Sequence, residues 1–547
     1  MKYILSFLLF FVCVACGGDA DKESVLSVFK LEHIFVGELQ NREEFTDVAP
    51  DAAVVLEFSG EVDGATINNS ILLKKDGEPV PFQYVLETEK KIRLVPDAPF
   101  SSFSSYKLTV NPSLKSKQGA PLATGKVYVI RIGMDRTDKF DRIPDDELLT
   151  LVQRNTFNYF WKLGHETSGM ARERNTSQNT VTTGGTGFGI MATLVAIERG
   201  FITRQEGLER IARIAYFLDT QCTKYHGAFS HWIDGETGDT QPFSAKDNGA
   251  DIVETALLFE GLLAARAYFD CEEAGENSLR ETITRMWEDI DWTWFQRGGE
   301  NQLYWHWSPD YNWEMNHAVT GWNECLIVYI LAASSPTYPI DKTVYDVGWA
   351  KGGAIRNGNS FYGYTLPLGV DKGGPLFLSQ YSFLGIDPRG LKDAYADYWE
   401  QNRNHSLINY SHCVENPNEY GGYSADCWGL TACDGDKGYN AYSPTNDKGV
   451  IAPTAALSAF PYTPEESMRA LHFFYYKLGD KIWTEYGFVD AFNLSAQWYD
   501  NQYIAIDQGP IVVMIENYRT GFIWDLFMSI PEIKVGLAKL GFQSSNI

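Results

Sequence analysis

The sequence predicts a multidomain chain, an N-terminal β-sandwich followed by an all-α (α/α)6 toroid. Its 547 residues exceed what one ordinary core organises. Residues 25–135 hold short apolar runs parted by turn residues. From residue 136 the apolar spacing becomes helical, with long Gly- and aromatic-rich loops between segments, and this period continues to residue 547.

Residues 1–15 read as a targeting segment. Lys2 precedes an apolar run, Tyr3 to Val14, that is too short to span a bilayer. Val12-Cys13-Val14-Ala15-Cys16-Gly17-Gly18 resembles a bacterial lipobox, with Cys13 where such boxes usually carry Leu. The resemblance implies that Cys16 is lipidated and residues 16–24 form a tether. The protein is then anchored to a membrane rather than spanning it, as an outer-membrane lipoprotein on the periplasmic face or the cell surface. Cleavage nearby, giving a soluble secreted protein, is the alternative.

In the β region, Ala53–Phe58, Ile71–Leu73, Ile92–Val95, Tyr106–Val110 and Val127–Ile130 read as strands, and Asp76-Gly77 as a hairpin turn. This stretch resembles the bacterial immunoglobulin-like domains found ahead of surface enzymes. It holds no catalytic constellation.

In the helical region, Leu148, Leu149, Val152, Phe160 and Trp161 share a helical period, and Thr203 to Glu206 form a capping box. Further helices are expected at 251–269, 279–296, 322–334, 391–402, 464–479, 509–530 and 531–541. No fixed repeat period supports a solenoid.

The formal net charge of −25 argues against nucleic acid and other polyanionic partners. Fifteen Trp, 30 Tyr and 32 Phe supply rings that pack cores and also stack on sugars. Beyond Cys13 and Cys16 no CxxC pair exists, which disfavours zinc and thioredoxin-type sites. Cys413, Cys427 and Cys433 suit either mutual pairing or buried thiols.

Asp247, Asp251 and Glu254 fall at i, i+4, i+7, which puts them on one face of a predicted helix. Carboxyls gathered in a hollow are what glycosidic cleavage requires, one as acid and one as base. A solvated first turn is the alternative. A second stretch carries Trp305, His306, Trp307, Trp313, Glu314, His317 and Trp322, then Glu324 at the start of an apolar run. Glu324 beside apolar residues suits a proton donor. The tryptophans are stacking candidates or packed rings. His231, His306 and His317 are read as hydrogen-bonding or packed residues. Later junctions hold Asp426, Trp428, Asp507 and Glu516; Asp507 also fits a helix cap. Gly184–Gly189 does not match a dinucleotide loop and is read as a tight loop or pocket floor.

Six segments occur in order: Gly185-Thr186-Gly187-Phe188-Gly189; Lys246-Asp247 with Asp251 and Glu254; Gly321-Trp322-Asn323-Glu324; Asp426-Cys427-Trp428-Gly429-Leu430; Ala452-Pro453-Thr454-Ala455; and Ile506-Asp507-Gln508-Gly509-Pro510. The set resembles the glycoamylase-like domain of glycoside hydrolase family 144, the β-1,2-glucanases, over about residues 140–545. The resemblance implies an (α/α)6 barrel and metal-free, cofactor-free, inverting hydrolysis of β-1,2-linked glucans or their oligosaccharides.

On this reading Glu324 is the general acid and Asp507 the base, acting directly or through a relay. Asp251 and Glu254 hold sugar hydroxyls, and either could replace Asp507. Asp247, Trp305, Trp307, Trp313, Trp322, Asp426, Trp428 and Glu516 contact substrate. The protein is expected to be a monomer. A β domain across one end of a cleft would favour exo release of sophorose, with endo cleavage the alternative. A non-catalytic glycan-binding lipoprotein would bind without forming product. A polysaccharide lyase would want a basic cleft, which the acidic composition disfavours.

Overall fold

A computed structural model describes residues 28–545. The targeting segment and tether, Cys16 included, lie outside the described residues. The chain divides into two compact units, one ending at Asp135 and one opening at Arg136.

The first unit contains two five-stranded sheets. One runs in the spatial order Leu39–Gln40, Leu31–Val36, Val54–Phe58, Lys91–Pro96, Phe82–Thr88. The other runs Glu44–Val48, Lys126–Ile132, Ser105–Val110, Ile71–Lys75, Glu78–Pro79. Strands alternate buried and exposed residues, as in Ser105–Val110. Ile34, Leu56 and Ile92 of one sheet share a core with Phe45, Leu108 and Ile130 of the other. Asp76 and Gly77 both take positive φ, 51° and 90°, the primed-turn geometry that joins Ile71–Lys75 to Glu78–Pro79.

The second unit is helical. Helices Thr183–Glu198, Ile252–Tyr268, Leu326–Ser334, Pro453–Leu457 and Ala505–Arg519 are buried along nearly their whole lengths. They pack in sequence against one another: 453–457 on 505–519, 505–519 on 183–198, 183–198 on 252–268, and 252–268 on 326–334. Amphipathic helices such as Asp145–Leu163, Arg204–Thr220 and Ala274–Glu288 each bury one face only. Thr203 and Glu206 cap each other reciprocally at the start of Arg204–Thr220.

Gly184–Gly189 is not a loop. It forms the first turns of Thr183–Glu198, and its glycines permit close helix packing. A Cβ at Gly187 would lie 2.1 Å from the Leu257 carbonyl oxygen, and one at Gly261 2.1 Å from that of Gly187.

Several helix bounds move because caps, not apolar spacing, decide where helices start. Asp251 accepts the N–H groups of Val253 and Glu254, so its helix opens at Ile252. Asp397 does the same for Tyr398–Glu415, where 391–402 was expected. The helix expected at 279–296 is Ala274–Glu288. That expected at 509–530 splits into Ala505–Arg519 and Phe522–Met528 around Gly521, whose φ is 76°. The six described cysteines are free thiols, five of them buried, so Cys413, Cys427 and Cys433 do not pair.

Candidate active site

Asp247, Asp251 and Glu254 do meet, but not as a stripe on one helix. Asp247 lies ahead of the helix, in a turn closed by a bridge to Ser244. Asp251 is the N-cap, and Glu254 sits in the first turn. A two-residue ladder pairs Ala250 with Trp307 and Asp251 with His306, which brings the tryptophan-rich loop over the helix start.

Asp251 is fully buried. Its Oδ1 caps the helix, while Oδ2 lies 3.2 Å from His231 Nδ1 and 3.8 Å from His306 Nε2. Burial opposes its ionisation, but the His231 hydrogen bond and the charges of both imidazoles outweigh this and hold its carboxyl below the usual range. Asp251 thus caps its helix with one oxygen and positions His231 with the other. Burial disfavours the His231 cation, yet Glu254, Asp251 and Asp247 raise it to about 9. Asp247 Oδ2 is 3.4 Å from His306 Nε2. Burial, then the Asp251 charge, raises Asp247 to about 7.

Glu254 Oε2 accepts the Gly184 N–H at 2.7 Å, and Oε1 is 4.0 Å from His231 Nε2. Burial, then the Asp251 charge, raises its carboxyl, against the pull of His231.

Glu324 stands in the turn before Leu326–Ser334, and its carbonyl oxygen accepts the Ser382 hydroxyl. It keeps some solvent access. Burial, then the charges of Glu254 and Asp251, raises it to about 7. Glu324 and the 247–254 acids therefore sense one another.

Asp507 lies in the first turn of Ala505–Arg519 and is buried. Tyr381 donates its hydroxyl to Asp507 Oδ1 at 3.3 Å. Burial raises Asp507 to about 7, with Asp434 and Glu173 adding to the effect. After burial, the charges of Asp507 and then Glu324 both help hold the Tyr381 hydroxyl protonated, so Tyr381 stands near both acids.

Other expected contacts divide. Trp305 is partly exposed and stacks on His317, with ring centres 5.0 Å apart, beside the acids. Trp307 is half-buried against His226 and Trp294, and Trp313 packs on Trp294, Phe295 and Tyr304. Trp322 is a core ring among Trp349, Phe383 and Tyr398. Trp428 is fully buried and donates to the Glu466 carbonyl. Asp426 is exposed, 3.7 Å from Arg469. Glu516 lies nine residues beyond Asp507, roughly 13 Å along the helix axis. Its carboxylate is held by Arg199 at 2.6 and 2.8 Å and by Gln153 at 3.0 Å. Trp322, Trp428 and Glu516 are thus committed to packing or ion pairing, and Asp426 faces solvent.

Ligand-type atoms of His231, Asp247 and Asp251 lie within 4.8 Å of one another, as do those of Asp434, Asp490 and Asp500. In the first set His231 Nδ1 already lies 3.2 Å from Asp251 Oδ2. In the second, Asp434 already pairs with Arg174 at 2.8 Å.

Known proteins match this chain in sequence and fold. The Glycoamylase family model matches residues 316–531, and the bacterial Ig-like domain model matches residues 40–129. A crystal structure of an endo-β-1,2-glucanase from Chitinophaga pinensis, with sophorotriose and glucose, is 52% identical. The match covers 74% of this chain and all of that one, at a TM-score of 0.73. This chain belongs to glycoside hydrolase family 144. A second family 144 relative, the β-1,2-glucanase of Parabacteroides distasonis, is 36% identical over 94% of this chain and 74% of that one, at a TM-score of 0.71. An exo β-1,2-glucooligosaccharide sophorohydrolase (non-reducing end), also from Parabacteroides distasonis, is 46% identical over 72% of this chain. The chain spans 58% of that curated relative's length.

Sequence reasoning did not assign site roles to His231, Phe243, His306, Tyr381 or Asp490 in this family 144 member. His231 stacks on exposed Phe243 at 4.3 Å. Its one legible signal was a histidine near an aromatic loop. Tyr381 opens the short 3-10 helix Tyr381–Phe383, and Asp490 lies in the Gly- and aromatic-rich block Tyr486–Asn493, which reads as a loop junction without a stated role.

Proposed function

We propose that this chain is an inverting glycoside hydrolase that cleaves β-1,2-glucooligosaccharides and releases sophorose from a chain end. The observation that carries it is the electrostatic coupling of Glu324 to Glu254 and Asp251 on one side and, through Tyr381, to Asp507 on the other. The names of the family 144 relatives supply the linkage and the product.

Glu324, protonated up to about pH 7, gives its proton to the glycosidic oxygen as the bond to the leaving sugar breaks. Asp507 takes a proton from the water that attacks the anomeric carbon. Such a pair works with carboxyls about 6.5–9.5 Å apart. Asp247 and Glu254 receive sugar hydroxyls, and Trp305 and Phe243 offer rings to sugar faces. The buried helices form the inner ring of an (α/α)6 toroid, with these acids at or ahead of their N-terminal ends. Cys16 carries a lipid anchor that holds a monomer at the outer membrane.

Product analysis tests this reading. Linear β-1,2-glucan and its oligosaccharides should yield sophorose, while laminarin, starch and cellulose should not react. A ladder of longer products from the start of the reaction would favour endo cleavage. Binding with no product would favour a glycan-binding role, and ultraviolet-absorbing unsaturated products a lyase.

A further inference from the structure

Behind Asp507 lies a second group of acids. Asp490, in the turn between Gly487–Phe488 and Phe492–Asn493, is 1% exposed. Its Oδ2 accepts the Asp434 N–H at 2.7 Å. Its Oδ1 has no donor, and neither has Asp507 Oδ2. Yet the two carboxyl groups lie within hydrogen-bonding reach of each other. Two carboxylate oxygens only accept, so they can join only if one of them carries a proton.

The surroundings say which. Asp507 sits in the first turn of its helix and receives the Tyr381 hydroxyl, both of which favour the anion. Asp490 receives one backbone N–H and faces acids: Asp507, Asp434 and Asp500, whose Oδ2 also lacks a donor. The remaining titratable neighbours of the pair are Glu173, Cys433, Tyr159 and Tyr439. The nearby cation, Arg174, is engaged by Glu173 and Asp434.

We propose that Asp490 is a positioning residue that holds a proton between itself and Asp507, and so keeps Asp507 as a single, oriented anion ready to deprotonate water. This rests on the reading of Asp507 as the base. During turnover the water oxygen bonds to the anomeric carbon and the Glu324 proton leaves with the departing sugar. The water's proton goes to Asp507, while the Asp490 proton stays in place; Asp507 then loses its new proton to solvent. Burial and the neighbouring acids push Asp490 well above the ordinary carboxyl range, which agrees with this assignment.

The experiment is a pH profile of kcat/KM on a β-1,2-glucooligosaccharide for the full chain and for Asp507→Asn, Asp490→Asn and Asp490→Ala. Asp490→Asn retains a donor toward Asp507. It should keep activity within about tenfold and leave the acid limb within about half a unit of the wild type, because one neutral donor replaces another. Asp490→Ala offers no donor, so it should lose about 100-fold or more and move the limb up. A purely structural role would not raise the limb in Asp490→Ala while sparing it in Asp490→Asn, and a limb lowered in Asp490→Asn would mean that Asp490 is an anion. If Asp490→Ala fails to fold, infrared difference spectra of wild type minus Asp490→Asn decide: at about pH 9, where Glu324 and Asp247 are ionised, one protonated-carboxyl band should be lost. An unmoved limb in Asp490→Ala, or an unchanged band in Asp490→Asn, with Asp507→Asn inactive overturns the shared proton alone. Substantial activity in Asp507→Asn instead overturns the base reading beneath it. Calcium that raises the melting temperature of the wild type but not of Asp490→Asn would mean that a cation, not a proton, satisfies these oxygens.

Discussion

Glu254 accepts the Gly184 N–H at 2.7 Å, and a methyl group at Gly184 would sit 2.6 Å from the same carboxylate oxygen. One backbone position thus ties helix packing to site geometry. Gly184→Ala should displace the Glu254 carboxylate and strain the contact with Leu257, at a cost of about 1–3 kcal/mol. Its kcat/KM should fall together with its melting temperature. Unchanged kinetics in a folded Gly184→Ala protein would show that Glu254 does not need this anchor.

Glu324 titrates in the folded chain near 7, above its ordinary 4.5. The folded state therefore binds more protons than the unfolded state between those values, and its stability contribution declines as pH rises from about 4.5 to 7. Activity should fall over the upper part of the same range as the acid loses its proton. Glu324→Gln should lower kcat by about 10²–10⁴-fold while melting no lower than the wild type at pH values above 7. A variant that keeps the wild-type rate would remove Glu324 as the acid.

His231, held by Asp251 and Glu254, titrates near 9 instead of 6.5. Its stabilisation is fully present below 6.5 and is lost as pH rises through about 9. Proton NMR of the imidazole should follow that midpoint, and Asp251→Asn should bring it down. A ring that titrates near 6.5 in the wild type would contradict the cationic assignment.

The Arg199–Glu516 pair should matter to folding and not to substrate. Removing one partner of a buried pair strands the other, so Arg199→Ala should cost about 3 kcal/mol in denaturant unfolding. KM should stay at its wild-type value. A raised KM without loss of stability would return Glu516 to the binding surface.

Much of this molecule is visible in its residues alone. Alternation in Tyr106–Val110 and the Asp76-Gly77 turn mark the β unit, and the Thr203–Glu206 box marks a helix start, because these are local effects of backbone geometry and capping. The ordered motifs around Asp247, Glu324 and Asp507 bring the family into view. What the residues could not reveal is which acids are free. Asp251 looks like a sugar-binding acid until it caps its own helix, and Glu516 until Arg199, more than 300 residues earlier, closes on it. Trp322 and Trp428 look like sugar platforms until the core takes them.

Composition, turn chemistry and periodicity therefore determined two kinds of domain and the segments that carry the acids. Tertiary structure alone decided the partner, exposure and charge state of each acid. Those properties depend on groups distant in sequence, such as Tyr381 and Asp490 beside Asp507, which only the packed helices bring within a few ångströms.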